Sequence, residues 1–542
     1  MVSPNLYDVH TKESLSFLAI SVDMPSNHHL PAQLSGLLDP AAYPHEVGRI
    51  ELVETHVSWV LLSGELVYKI KRPVRYPFVD MRTVQQRHVF CQEEVRLNRR
   101  FAPSIYLDVV PITAAGGTVR MGGAGEAIEY AVQMRQFDRS NELTQLLAHG
   151  HASSEALASF GESLARIHAE LPVAEPSAPY GRPEFVIRAL LENLQQLEGL
   201  SARARLAPVG KALEPLMRAH FQRLAPLLEA RREAGYVREC HGDLHCGNVV
   251  QIAGGFVAFD CLEFAPEFRF IDVAEDIAFL YMDLGRRAAD AQATAFLNAY
   301  LETSGDYEAA RLIGLYGAHR ALVRAKVAAL DERSTARADH AAYVTRAKAL
   351  LEPRAPVLVL MSGFSGSGKT WLAAQLAKAV GALHIRSDVE RKRLAGLEQR
   401  ARTGSAPGAG LYSQDANERT YRSLAEHASH AIAGGFTPIV DATFQRRADR
   451  LLFEEVARAA KVRAVMIRCS APDAVLESRI RERERKGTDA SEADGAVLEW
   501  QRAHYEPIAP EEGIAVIDVD TSRSAVLEDA QAALYRLLGS SA

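Results

Sequence analysis

The sequence predicts a mixed α/β and α+β chain: a bilobal N-terminal unit, with a sheet lobe before a helical lobe, followed by a parallel sheet with helices on both faces. Three observations carry this expectation. Positions from about 45 to 140 alternate apolar and polar residues (IELVETHVSWVLL, ELVYKIKRPV, EYAVQMRQF), the period of half-buried strands. From 154 to 351 the spacing turns mostly helical, as in ALASFGESLARIHAEL and LYGAHRALVRAKVAALDE, broken by a strand-rich stretch around VREC and GGFVAFD. Beyond 356, short apolar runs (VLVLM, FTPIVDA, RAVMIRC, IAVIDV) alternate with helices, which is the pattern of strand-helix-strand units.

These breaks divide the 542 residues into an N-terminal extension over 1–44, a first domain over 45–350, a Pro-containing linker LEPRAP over 351–356 and a second domain over 357–542. The composition, 48% apolar and 24% charged, excludes a disordered or collagen-like chain. With 62 basic and 68 acidic residues the net charge is −6, so nothing global attracts a polyphosphate backbone and a nucleic-acid partner is not expected. Five cysteines over this length do not make a disulfide scaffold, and a cytoplasmic location is expected. No apolar run approaches the roughly 18 to 20 residues that cross a bilayer. The stretch LSFLAISV is short and lacks a basic leader, so neither a membrane segment nor an export signal is read. The Ala/Gly-rich piece ARTGSAPGAG (401–410) reads as a surface loop.

After VLVLM comes GFSGSGKT, and a helix follows it. Gly363, Gly368, Lys369 and Thr370 satisfy the G-x-x-x-x-G-K-[ST] spacing, with Ser365, Gly366 and Ser367 completing the loop. Backbone N–H groups curl around phosphate oxygens in such a loop, the lysine reaches the outer phosphates and Thr370 ligates magnesium. Asp388 follows at the end of a second short strand, where it could take a proton from an attacking hydroxyl, with Arg391 holding the acceptor; a helix-capping role is its bland rival. FTPIVDATF places Asp441 and Thr443 at a carboxyl strand end, where Asp441 could serve the metal. Arg479, Arg481, Arg483 and Arg485 in ESRIRERERKGTDASEAD read either as a lid closing on the transferring phosphoryl group or as a solvated helix with Glu/Arg pairs.

In the first half, CHGDLHCGNVV sets His241, Asp243 and Asn248 at the H-x-D-x-x-x-x-N spacing, and Asp260 ends the apolar strand that follows. Phosphoryl transfer needs such a set: Asp243 to meet the acceptor proton, Asn248 and Asp260 to hold magnesium against the phosphates. A zinc site of Cys240, His241, His245 and Cys246 is the discounted rival, since four ligands so close in sequence cannot readily face one tetrahedral ion. Upstream, Lys69 and Lys71 in LVYKIKRPV share one strand face, so either could reach phosphates. Glu94 is the expected partner of that lysine, with Glu93 as fallback.

Residues from about 357 onward resemble P-loop small-molecule kinases of the gluconate kinase, polynucleotide kinase and zeta-toxin group, an AAA-type kinase with a P-loop NTPase sheet. The resemblance implies ATP and magnesium at Lys369 and Thr370, acceptor activation at Asp388, and completion of the site by lid arginines. Residues 45 to 350 resemble the aminoglycoside phosphotransferase family, with its protein-kinase-like fold, through HGDLHCGN, LARIHAEL and FRFIDVAED. By that resemblance Asp272 braces the catalytic loop and QMRQF (133–137) is the hinge that meets adenine. Departures are Cys246, where the family often has Pro; Cys261 and Leu262, where it often has a glycine after the magnesium aspartate; and the glycine-free loop THVS. The two halves together look like a fusion of the two families. The expected function is a bifunctional ATP-dependent phosphotransferase acting on small-molecule hydroxyls. The alternatives are an ATP-binding regulator with a degenerate first domain, or a nucleic-acid end kinase. Resistance to polycationic aminoglycosides is not expected, since no acid cluster in the helical lobe answers to them.

Overall fold

The computed structural model describes residues 30–538 except 56, 77–78, 204–208, 331–335, 400, 405–407 and 487–492. Most of the N-terminal extension, the middle of ARTGSAPGAG and the stretch GTDASE after the arginine-rich helix therefore lie outside the described residues. The chain forms two compact units. The first gathers Met1–Phe160, Arg166–Ala288 and Leu315–Leu351; the second gathers Gly161–Ala165, Ala289–Gly314 and Glu352–Ala542. Thus 289–314, assigned by sequence to the first domain, packs with the second. No described helix is long and apolar enough to cross a membrane.

The first unit opens with strands β1 (Glu51–Glu54), β2 (Ser58–Leu62), β3 (Leu66–Lys71), β4 (Tyr106–Ala115), β5 (Thr118–Met121) and β6 (Glu126–Arg135), paired antiparallel in the order β1-β2-β3-β6-β4-β5. Strand alternation sorts the side chains. Leu61, Tyr68, Ile70 and Ala131 enter one core with Leu34 and Leu37, while Val67, Val132 and Met134 enter another with Cys91 and Val95 of helix α1 (Val84–Asn98). Thr83 and Gln86 start α1 with a reciprocal capping box. Because Lys69 and Lys71 have the parity of Val67, they face α1 and its Glu94.

The helical lobe of this unit contains α2 (Ser154–Glu170), α3 (Pro183–Arg203), α4 (Gly210–Glu233), α5 (Val273–Arg286) and α6 (Ile313–Leu330). Two short antiparallel ladders frame the loop 240–248: β7 (Val237–Glu239) with β10 (Phe270–Asp272), and β8 (Val249–Ile252) with β9 (Gly255–Ala258).

The second unit is built on β11 (Val357–Ser362), β12 (Leu383–Arg386), β13 (Pro438–Asp441), β14 (Arg463–Ser470) and β15 (Ala515–Asp520), all parallel, in the order β12-β13-β11-β14-β15. All six residues of β11 are buried, so helices cover both faces, as a parallel sheet requires. On one face Leu372 and Leu376 of α7 (Lys369–Val380) pack with Val526, Ala530 and Leu534 against Val359 and Ile467.

Candidate active sites

In the first unit, Gly242 takes a φ of +83°, and a Cβ there would meet the Phe268 carbonyl oxygen at 2.6 Å, so only glycine turns this loop. His241, fully buried, bonds through Nε2 to the Phe259 carbonyl (2.9 Å) and through Nδ1 accepts the backbone N–H of Asp243 (3.3 Å). Burial keeps its imidazole neutral by pushing the pKa down. Asn248 Nδ2 donates to Asp243 Oδ2 at 3.1 Å, and His245 Nε2 stands 3.5 Å from the same oxygen. Burial alone would raise the Asp243 carboxyl, but His245, Arg324 and His241 outweigh it and hold the group below the usual carboxylate range. Asp243 therefore stands as an ionised base at the edge of a cavity of about 220 Å³.

Lys69 Nζ bonds Glu94 Oε1 (2.8 Å) and Asp260 Oδ1 (2.6 Å). The period-two pattern gave Lys69 and Lys71 equal claims, and depth separates them. Lys71 has no accessible side-chain surface and lies clasped between Glu94 and Glu263, closed to a nucleotide; Lys69 keeps 14% exposure. Glu93 pairs with Arg96 and Arg269, so Glu94 is the lysine partner. Asp260 has a φ of +65° and a half-exposed carboxylate, and its N–H donates to Tyr106 Oη (3.1 Å). The left-handed residue is the aspartate itself, so Cys261 and Leu262 need not be glycine; Cys261 N–H donates to Asn98 Oδ1 (2.9 Å).

The resemblance placed the loop brace at Asp272, and the structure moves it to Asp276. Asp272 caps α5 through the Ala274 N–H (2.8 Å) and forms a buried ion pair with Arg231. Asp276, one turn on, accepts the N–H groups of His241 (3.1 Å) and Gly242 (3.0 Å). A second brace went unrecognised in the sequence: Asp283 accepts the Cys246 N–H (3.1 Å) and the Tyr343 hydroxyl (2.8 Å). A proline at 246 could not make the first of these bonds. Among the described residues, the ligand atoms that converge as a metal could require are those of His168, Cys240 and Asp276, not the four of the zinc reading. In QMRQF the N–H groups of Arg135 and Gln136 are already spent on Ile105 and Glu65 carbonyls.

In the second unit, Gly363, Gly366 and Gly368 all have positive φ. A Cβ on Gly363 would lie 2.4 Å from the Cys469 carbonyl oxygen, so the cradle is held closely between β11 and β14. Gln501 accepts the Ser365 N–H (2.8 Å), while Ser367 Oγ is buried without a hydrogen-bond partner among the described residues. Asp441, 4% exposed, meets His384 (3.4 Å) and the Thr370 hydroxyl, which with Lys369 hold it ionised against the push of burial; among the described residues its Oδ1 has no hydrogen-bond partner. Thr443 Oγ1 lies 3.4 Å from Tyr421 Oη. Lys369, Asp388, Arg391 and Asp441 line one cavity of about 90 Å³. Asp388 makes no cap bond in the first turn of its helix (Ser387–Leu394) and pairs with Arg391 at 3.2 Å. Arg479 bonds the Gly366 carbonyl (3.3 Å) and Thr521, steadying the cradle, and Arg483 bonds the Ala493 carbonyl. Arg481 pairs with Glu477 in solvent and Arg485 is exposed.

The profile of the phosphotransferase enzyme family (APH) matches residues 87–313, and that of an AAA domain matches residues 358–508. An uncharacterized protein of Mycobacterium tuberculosis is 30% identical over 460 residues, 84% of this chain and 91% of that protein, and one of Mycobacterium bovis matches to the same extent. Solved structures that are similar include a choline/ethanolamine kinase family protein from Mesorhizobium loti (16% identity, TM-score 0.34, 56% of this chain and 88% of that one). A gluconokinase from Sinorhizobium meliloti is similar too (21% identity, TM-score 0.25, 34% of this chain and 95% of that one). Joining an APH-type phosphotransferase domain to a P-loop kinase domain, and sharing 30% identity along 91% of its mycobacterial relatives, the chain belongs to one family with them and is a phosphotransferase.

Proposed function

We propose that the chain is a bifunctional ATP-dependent phosphotransferase, in which each unit uses ATP and Mg²⁺ to phosphorylate a hydroxyl of its own small-molecule acceptor. The observation that carries this reading is that each unit's cavity is lined by a carboxylate suited to take a proton, Asp243 in one and Asp388 in the other. In the first unit Asp243 accepts the acceptor's proton as its oxygen attacks the γ-phosphorus, the bond to the bridging oxygen breaks and ADP leaves. Lys69, steered by Glu94, holds phosphate oxygens. In the second unit Asp388 takes the proton, Arg391 orients the acceptor, and the N–H groups from Gly363 to Thr370 with Lys369 hold the phosphates.

The donor sets suit Mg²⁺. The buried, open Oδ1 of Asp441 beside Thr370, the half-exposed carboxylate of Asp260 and the amide oxygen of Asn248 are hard oxygens of the kind it takes. Bound there, the ion would neutralise charge that builds on the phosphoryl oxygens. Asp243→Asn and Lys369→Ala should each remove one nucleotide-dependent activity and spare the other. If both variants keep all ATP turnover, the proposal fails. Mass-spectrometric screening of a metabolite extract for new phosphorylated species identifies the acceptors. One observation favours a regulatory first unit instead: Lys69 already occupies Asp260 Oδ1. Calorimetry set beside phosphate release separates nucleotide binding from turnover.

A further inference from the structure

The cavity beside Asp243 lies within the first unit, with α3 supplying Phe185, Leu190 and Asn193 and α6 supplying Val323 and Lys326. Its walls are mainly apolar, and most of its charges are already matched. Glu275 pairs with Arg320 (2.9 Å), Asp272 with Arg231, and Asp243 faces His245 and Arg324. Glu267 is the remaining acid, and it keeps access to water. Of the remaining bases, His319 is held neutral by burial and by Arg320 and Lys326, and Lys326 has no such access: it is 4% exposed, and among the described residues its one hydrogen bond runs to the neutral Gln196 Oε1 at 2.8 Å. Two N–H donors of an ammonium are thus left without acceptors among the described residues. A second buried polar atom of a residue on the same cavity, Asn193 Oδ1, is also without a partner among the described residues. An interior gap filled only for packing would not carry such groups, because each costs desolvation free energy that nothing returns.

We propose that the acceptor of the first unit is an amphipathic hydroxy acid, whose hydroxyl meets Asp243, whose apolar body lies along α3 and α6, and whose carboxylate takes Lys326. This rests on the phosphotransferase reading above. An amino alcohol of similar size would bring a second cation to the buried ammonium, and a diol would leave its charge unanswered. Burial pulls the Lys326 pKa down to about 8, in keeping with an amine that lacks a counter-ion.

The test uses the full chain with Mg²⁺ and ATP and a homologous series of ω-hydroxyalkanoates, beside the diols and amino alcohols of the same chain lengths. Lys369→Ala serves as background, to silence the second unit. A carboxylate of matching length is expected to show a KM about tenfold or more below that of its diol. Lys326→Met should erase that ratio through KM rather than kcat, and Lys326→Arg should retain it. Diols or amino alcohols preferred over the acids, or a ratio unchanged in Lys326→Met, would overturn the inference. Calorimetry of binding separates it from the reading beneath: ATP bound with no acid bound or phosphorylated overturns the hydroxy-acid assignment alone, and no ATP bound overturns both.

Discussion

Replacing Lys326 with methionine should stabilise the folded chain at neutral pH, and the gain should vanish in alkali. The magnitude follows from the burial of the amine. Its pKa falls from the ordinary 10.5 to about 8, because burial disfavours the ammonium and, among the described residues, no acid stands near to restore it. A shift of that size costs the folded state about 3 kcal/mol whenever both folded and unfolded chains carry the proton. That condition holds below pH 8; between about 8 and 10.5 the unfolded chain keeps a proton that the folded chain has lost, so wild-type stability climbs towards that of the variant. Above 10.5 both forms are neutral and the pH-dependent part of the difference is gone. Calorimetric melting of the full-length wild type and Lys326→Met across this range reads the difference in the one transition that the substitution moves, expected to be several degrees at neutral pH. A variant that melts below the wild type at neutral pH, or a difference that stays flat through pH 8 to 10.5, would refute the reasoning.

Glu94→Gln should destabilise the first unit by about 3–5 kcal/mol, because it strips the shared counter-ion from two ammonium groups that are largely or wholly buried. Burial would raise the Glu94 carboxyl, but Lys69 and Lys71 outweigh that and hold it down at about 2. The wild type should accordingly lose stability as the pH falls from the ordinary carboxylate range towards 2, and melting curves of the variant should lack that component. Gly363→Ala forces a methyl group to 2.4 Å from the Cys469 carbonyl oxygen at a φ of +145°, so nucleotide affinity at the second unit should fall by about tenfold or more while the first unit's is retained, as calorimetry would register. Asp276→Ala leaves the N–H groups of His241 and Gly242 without their acceptor, and steady-state assays should show the first unit's kcat falling more than its KM for ATP.

Glycine-rich cradles and acid/amide loops are legible in sequence because the backbone chemistry they serve is local. GFSGSGKT must follow a strand and open a helix to work, and β11 and α7 stand on either side of it. Depth is not local. Period-two alternation put Lys69 and Lys71 on one face, yet only Glu263, contributed from far along the chain, shows which of them is enclosed. The same holds for Asp272 and Asp276, one helical turn apart in FRFIDVAED: Arg231 on α4 claims the first and so leaves the loop to the second. Lys326 sits in LVRAKVAAL as an ordinary member of an amphipathic helix, and nothing in that pattern tells that its amine meets α3 instead of water. Capping is the lesser reading for Asp388, and its helix begins without a side-chain cap.

The threading of 289–314 into the second unit bears on how the halves can be separated in the laboratory. Asn298, from a helix encoded well before the proline-bearing connector, clamps the edge strand β12 by donating to the Ala382 carbonyl (2.9 Å) and receiving the His384 N–H (2.7 Å). Tyr307 stacks on His427 at 4.4 Å. A recombinant fragment started at Val357 would be born without these braces, exposing one flank of its sheet and the apolar surface beneath. Dissection by point inactivation of one catalytic centre at a time respects the weave of this chain in a way that truncation does not.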